Sequence, residues 1–98
     1  PDGLIGKHGG IEIKCPKPST HIQYLRTRKV PSIYIPQIQG CMWITGRKWW
    51  DFMSFHPSLP PLIIRVQRDQ EFISKLNRLV IDACKTIEKV VKEIEVQR

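Results

Sequence analysis

Residues 11–15, Ile-Glu-Ile-Lys-Cys, alternate apolar and polar side chains with the period of two that marks a half-buried strand. Such a pleat puts Glu12 and Lys14 on one face and predicts Ile11, Ile13 and Cys15 on the other, toward a core. Upstream, Asp2-Gly3-Leu4-Ile5 reads as a partner strand. Gly6-Lys7-His8-Gly9-Gly10 reads as the turn, its three glycines suited to positive φ. An antiparallel register that sets Asp2 opposite Glu12 or Lys14 brings all three side chains onto one face. Directly opposed residues have Cβ atoms about 5 Å apart, close enough for two carboxylates to share one hard cation. A plain cross-strand ion pair on an exposed hairpin would use the same three residues.

The rest of the chain divides at its prolines and glycines. Pro16-Lys17-Pro18 ends the strand, and Ser19 or Thr20 is suited to cap a short helix running to about Arg28. Val30-Pro31-Ser32 is a turn. Ile33 to Thr45 follows as a helix with Pro36 in its first turn and Ile35, Ile38, Met42 and Trp43 inward. Gly46-Arg47-Lys48 breaks it. Trp49 to Phe55 and Leu62 to Val66 read as strands, separated by a loop containing Pro57, Pro60 and Pro61. From Asp69, as N-cap, an amphipathic helix extends nearly to the C-terminus, its apolar residues running from Phe72 and Ile73 to Val91 and Ile94. This order predicts an α/β (α+β) fold: a small mixed β-sheet flanked by helices, with the last helix covering one sheet face or mediating oligomerisation.

Ninety-eight residues make one domain with a modest core. The net charge of +7, from 16 Lys and Arg against 9 Asp and Glu, favours a polyanionic partner. Arg26, Arg28 and Lys29, then Arg47 and Lys48, supply the basic clusters. Cys15, Cys41 and Cys84 are odd in number and widely spaced, which argues against a disulfide framework and for a reducing cytoplasm. Zinc and iron–sulfur sites need ligands in closer pairs than these cysteines and His8, His21 and His56 provide. No apolar stretch is long enough to span a membrane, and no secretory leader opens the chain.

Asp-x9-Glu-x-Lys after a glycine-rich turn resembles the PD-(D/E)xK nuclease superfamily, and more narrowly the YqaJ-like viral recombinase family that includes bacteriophage lambda exonuclease. The resemblance continues through Tyr34-Ile35-Pro36-Gln37-Ile38-Gln39 and Met42-Trp43-Ile44-Thr45-Gly46. It extends to Asp51-Phe52-Met53-Ser54-Phe55-His56-Pro57 and Ile64-Arg65-Val66-Gln67-Arg68-Asp69. Motifs in this order are far more specific than the acid–acid–lysine triplet alone.

The resemblance implies a restriction-endonuclease-like fold and a Mg²⁺-dependent DNA exonuclease of the phage recombination type, with Mn²⁺ as substitute. It would digest one strand of linear duplex DNA from the 5′ end, leaving a 3′ tail for a single-strand annealing protein. Asp2, Glu12 and the backbone carbonyl of Ile13 would hold the metal, and Lys14 would orient the attacking water and stabilise charge on the phosphate. Gln37 and Tyr34 would face the same site, toward the water or a phosphate oxygen; a satisfied buried amide and simple aromatic packing are their plainer readings. Trp43, Trp49 and Trp50 could stack on bases, although aromatics beside a strand are more often core. Gln39 points elsewhere on its helix and carries no role. The family is also expected to act in the cytoplasm of a bacterial host, as a prophage or phage product, and to form homo-oligomers, a ring-shaped trimer in the lambda type. Its members are longer, and with no initiator Met residues 1–98 are expected to be a single partial nuclease domain. On that expectation the alternative is a non-catalytic remnant serving as a DNA-binding or oligomeric scaffold.

Overall fold

Glycines and tryptophans set the spacing of the sheet. The computed structural model describes residues 2–97, with Pro1 and Arg98 outside them. Strand β1 (Gly3–Ile5) turns through Gly6-Lys7-His8 into β2 (Gly9–Lys14). Helix α1 (Pro18–Thr27), a 3₁₀ turn (Ser32–Tyr34) and α2 (Ile35–Thr45) then lead to β3 (Trp49–Ser54), β4 (Leu62–Gln67) and α3 (Gln70–Val96). The strand order is β1-β2-β3-β4. The outer pairs β1–β2 and β3–β4 are antiparallel, while β2 and β3 run parallel. Parallel neighbours need a crossover, which α1 and α2 supply.

The turn is shorter than the sequence suggests. Gly9 and Gly10 belong to β2, and of the hairpin glycines only Gly6 has positive φ, at 56°. The other two are glycines for room. A Cβ on Gly9 would stand 2.1 Å from the Trp49 ring, and one on Gly10 would stand 2.3 Å from the Trp50 ring.

The core lies on the side of the sheet that carries Trp50 and Phe52, which α2 covers with Ile38 and Met42 and α3 with Ile73. Burying a side chain of this size contributes about 1.5–3 kcal/mol. This corrects the expected polarity of β2. Glu12, not Ile13, faces the covered side, while Ile13 and Cys15 are exposed on the far side. The register explains why: Glu12 pairs with Phe52 and Gly10 aligns with Trp50, so the large aromatics of β3 occupy the core that the isoleucines were expected to fill.

Local capping also differs from expectation at α1. Its N-cap is Lys17, with Pro18 at the first helical turn and no side-chain cap from Ser19 or Thr20. Proline's fixed φ starts the helix without a cap. Arg28 ends α1 in the left-handed region, φ 52°, its N–H donating to the Tyr24 carbonyl. At α3 the expected cap is present: the Asp69 side chain accepts the Phe72 N–H.

Helix α3 does not cover the sheet, the first of the two roles its amphipathicity suggested. Only Ile73 is fully buried, and every residue from 77 to 97 is exposed. A helix of 27 residues spans about 40 Å, so most of it projects past the sheet. No helix among the described residues is long and apolar enough to cross a membrane.

Candidate active site

Period-two geometry and the hairpin register converge on one spot of the covered face. Asp2 extends the hairpin, its N–H donating to the Ile11 carbonyl at 3.1 Å. One step beyond the Gly3–Ile11 pair, this places Asp2 opposite Glu12. The Asp2 carboxylate accepts the Ile13 N–H at 2.5 Å.

Glu12 is almost fully buried and is held from two sides through one oxygen. Lys14 Nζ lies 3.1 Å from Glu12 Oε1, and Gln37 Nε2 donates to the same atom at 3.1 Å. Gln37 projects from the first turn of α2, which brings it 25 residues along the chain to β2. Tyr34, in the 3₁₀ turn before that helix, stacks on Phe52 with ring centroids 5.6 Å apart. Lys14 Nζ sits 4.8 Å above the centre of the same Tyr34 ring. Lys14 is thus surrounded by negative charge and an aromatic face. Its hydrogen bond to Glu12, joined by the fields of Glu12, Tyr34 and Asp2 and opposed by partial desolvation, raises its pKa above the ordinary lysine value. The side chain is a fixed ammonium, not a neutral-pH base.

Of the five side chains singled out in the sequence, Lys14 and Gln37 thus meet Glu12 directly, Tyr34 joins them through Lys14, and Asp2 is held alongside by the Ile13 N–H. Carboxylates such as Asp2 and Glu12 offer hard oxygen, the kind of donor that would suit Mg²⁺ or Mn²⁺. No cluster of three or more His, Cys, Asp or Glu side chains occurs among the described residues, and the thiols of Cys15, Cys41 and Cys84 are unpaired.

Two contributors were not legible in the sequence. Tyr24, on α1, packs edge-on against Phe52 at 6.2 Å, on the ring that Tyr34 also stacks against. Burial first, then the neighbouring Tyr34, raises its phenol pKa. His21 is fully buried beneath the far end of β2 and β3. Its Nε2 donates to the Pro60 carbonyl at 2.7 Å, and its Nδ1 shares a hydrogen bond with the Ser54 hydroxyl at 2.7 Å. Ser54 pairs with Lys14 in the sheet, so His21 ties the proline loop to the strand end beside the site. A single histidine on a ten-residue helix gave no sign of either bond.

Other residues take structural parts. Gln39 accepts the Asp69 N–H at 2.9 Å and donates to the Gln67 carbonyl at 3.0 Å, pinning α2 to the junction of β4 and α3. Trp50 is fully buried, Trp43 packs at the edge of the core, and Trp49 carries the Arg65 guanidinium 3.6 Å above its ring. Arg65 also makes two bonds to Asp51, at 2.9 and 3.1 Å, on the open face of the sheet.

A mixed sheet presenting paired acids and a charged lysine on one strand face has the frame of the PD-(D/E)xK nucleases. Comparison with known proteins agrees. A family model, the YqaJ-like viral recombinase domain, matches residues 1–48. The chain superimposes on an alkaline exonuclease, LHK-Exo, from Laribacter hongkongensis with a TM-score of 0.84 and 37% sequence identity, covering 99% of this chain and 52% of that one. LHK-Exo in complex with dAMP matches equally, with a TM-score of 0.83 and 37% identity. No curated protein matches. The chain is thus similar to the YqaJ-like viral recombinase domain over residues 1–48 and to the alkaline exonuclease over nearly all of its own length. It spans about half the length of the exonuclease it matches.

Proposed function

We propose that the chain carries the catalytic centre of a Mg²⁺-dependent DNA exonuclease of the phage recombination type, hydrolysing linear duplex DNA from 5′ to 3′. The observation that supports this most is the meeting of Asp2, Lys14, Gln37 and Tyr34 around one buried carboxylate, Glu12. The match to an alkaline exonuclease, solved also with a nucleotide, gives independent support.

In this reading Asp2, Glu12 and the Ile13 carbonyl would hold the ion, which would supply polarisation of the phosphate and acidification of a water. The chain's own residues do the rest. Lys14, kept protonated by Glu12, donates to the water and to a non-bridging phosphate oxygen as negative charge builds there. Gln37 fixes the Glu12 carboxylate in one rotamer. Tyr34 stands beside Lys14, stacked on Phe52 so that its hydroxyl has a set position at the phosphate. The water oxygen bonds to phosphorus, the P–O bond to the leaving nucleotide breaks, and the proton shed by the water ends, by way of solvent, on that leaving oxygen. A reducing cytoplasm and a single-strand annealing protein, which would receive the 3′ tail, complete the reading.

The test uses end-labelled linear duplex and closed circular duplex, with Mg²⁺ or EDTA. Wild type releases nucleotides from the linear form only, and EDTA stops it. Glu12→Gln keeps the shape and the Gln37 contact but loses the charge. It should fall by more than the roughly 10–100-fold that loss of an outer-shell partner costs a metal site. Metal-dependent digestion that survives in Glu12→Gln would reject the site. An absence of EDTA-sensitive product from wild type would favour a DNA-binding or scaffold role.

A further inference from the structure

Charge that the Glu12 site does not use gathers on α1 and the turn after it. Between Lys14 and Asp51 the chain carries Lys17, Arg26, Arg28, Lys29, Arg47 and Lys48, and no Asp or Glu. One cation near a helix C-terminus complements the helix dipole, and Arg26 in the last turn of α1 supplies it. Arg28 and Lys29 follow directly. Both are exposed, and neither takes part in an ion pair among the described residues. Arg28 also sits at φ 52°, a backbone region where glycine is the usual residue at a helix end. The segment is a one-sided positive field of the kind that attracts phosphate.

A cavity of about 260 Å³ opens there, lined by Gln23, Tyr24, Thr27, Lys29, Val30 and Pro31. Drug-sized ligands fill pockets of about 300–1,000 Å³, so this one suits a smaller group. Tyr24, Val30 and Pro31 give it apolar surface. The Gln23 amide and Thr27 hydroxyl give donor and acceptor atoms, and Lys29 gives charge. An unpaired nucleotide has the matching makeup: an aromatic face, a polar edge and an attached phosphate. Stacking on an aromatic side chain beside a cation is the general way proteins hold such a base. Burial first, then the neighbouring Tyr34, raises the Tyr24 phenol pKa, so at neutral pH the ring brings no negative charge to repel a phosphate. The place also fits. Tyr24 and Tyr34 pack on one Phe52 ring, at 6.2 and 5.6 Å, and Lys14 Nζ lies over Tyr34. A nucleotide against Tyr24 is therefore a neighbour of a phosphate held at Lys14.

We infer that this cavity is a subsite for one unpaired nucleotide of the DNA strand, its base seated against Tyr24, Val30 and Pro31 and its phosphate at Lys29. The inference rests on the nuclease reading of Glu12 and Lys14, and its test is a binding measurement in EDTA that needs no cleavage. The isotope-labelled chain is titrated with dAMP, with deoxyribose 5-phosphate and with inorganic phosphate, and its backbone amides are followed by NMR. The amides of Gln23, Tyr24, Thr27, Lys29 and Val30 should shift with dAMP, which should bind about 10-fold or more tighter than deoxyribose 5-phosphate. Thr27→Phe fills the cavity and Lys29→Glu reverses its charge. Both positions are exposed, so the fold should persist, as read by circular dichroism, while each variant weakens dAMP about 10-fold or more. Lys29→Arg should keep the affinity. No shift in residues 23–30 at about 10 mM dAMP would overturn the proposal. So would shifts confined to residues 12–14 and 34–37, equal binding of dAMP and deoxyribose 5-phosphate, or affinity untouched by both variants. Metal-dependent cleavage without these shifts would sink the subsite and leave the nuclease reading standing. The shifts without any cleavage would do the reverse.

Discussion

Gly10→Ala is the sharpest test of how the sheet and its core fit together. The substitution adds one carbon to β2, 2.3 Å from Trp50 Cζ3 and 2.4 Å from Cε3 and Cη2. Carbon atoms rest about 3.5–4.0 Å apart, so the ring must retreat by more than an ångström. It has nowhere to go. Trp50 is fully buried, in one cluster with Ile38, Met42, Phe52 and Ile73. Backbone strain does not enter, because Gly10 is not among the residues with positive φ. Overpacking of a rigid core costs about 1–3 kcal/mol, and a clash with an immobile indole belongs at the top of that range. For a domain of this size each kcal/mol moves Tm by about 4–8 °C, so a fall of about 12–24 °C is expected. Urea denaturation followed by tryptophan fluorescence gives the free energy directly. Gly40→Ala is the control: a Cβ there meets nothing within 4 Å in the middle of α2, and the change should stabilise by up to about 1 kcal/mol. Should Gly10→Ala lie within about 0.5 kcal/mol of wild type, the close-approach account of these glycines is wrong.

The remaining predictions concern the two glutamines and the lysine. Gln39→Ala removes both bonds that tie α2 to the start of α3 and leaves the Gln67 carbonyl and Asp69 N–H without this partner; a loss of about 2–3 kcal/mol in denaturant melts is expected, and one below 0.5 would refute the pinning role. Gln37→Ala, an exposed residue, should leave stability within about 0.5 kcal/mol while lowering nuclease turnover, and a large loss of stability would show that its amide belongs to the core instead. Lys14 has a raised pKa, so its ion pair with Glu12 stabilises the fold fully below the ordinary lysine value and is lost as pH climbs through the elevated one. The stability gap between wild type and Lys14→Met should therefore shrink in paired melts as pH rises into the strongly alkaline range, and a gap that widens there would contradict the assignment.

The elements and their order were readable from residue pattern because they depend on local physics. Strand period, the proline breaks and the Asp69 cap act over a few residues, and each lies close to where the pattern indicates. The grouping of these side chains was legible for a related reason. A period of two puts Glu12 and Lys14 on one face whatever lies above them, and a tight hairpin brings Asp2 across. Tyr24 and His21 escaped notice because their partners, Tyr34, Ser54 and Pro60, come from elements distant in sequence. No local pattern marks a contact of that range.

What the sequence by itself determined is which side chains travel together: acids with the lysine, aromatics with the strand that follows, aliphatics along one line of the last helix. Which of those groups is covered was decided only by tertiary structure. Ile11, Ile13 and Cys15 have the chemistry of a core, yet the parallel pairing of β2 with β3 sets Gly10 and Glu12 beside Trp50 and Phe52, and the helices close over that side. The indole and phenyl rings bury more apolar area than the isoleucines could, so they win the interior and draw the carboxylate in with them. The same competition leaves α3 outside, since α2 and the first turn of α3 already fill the face that the longer stripe was expected to cover.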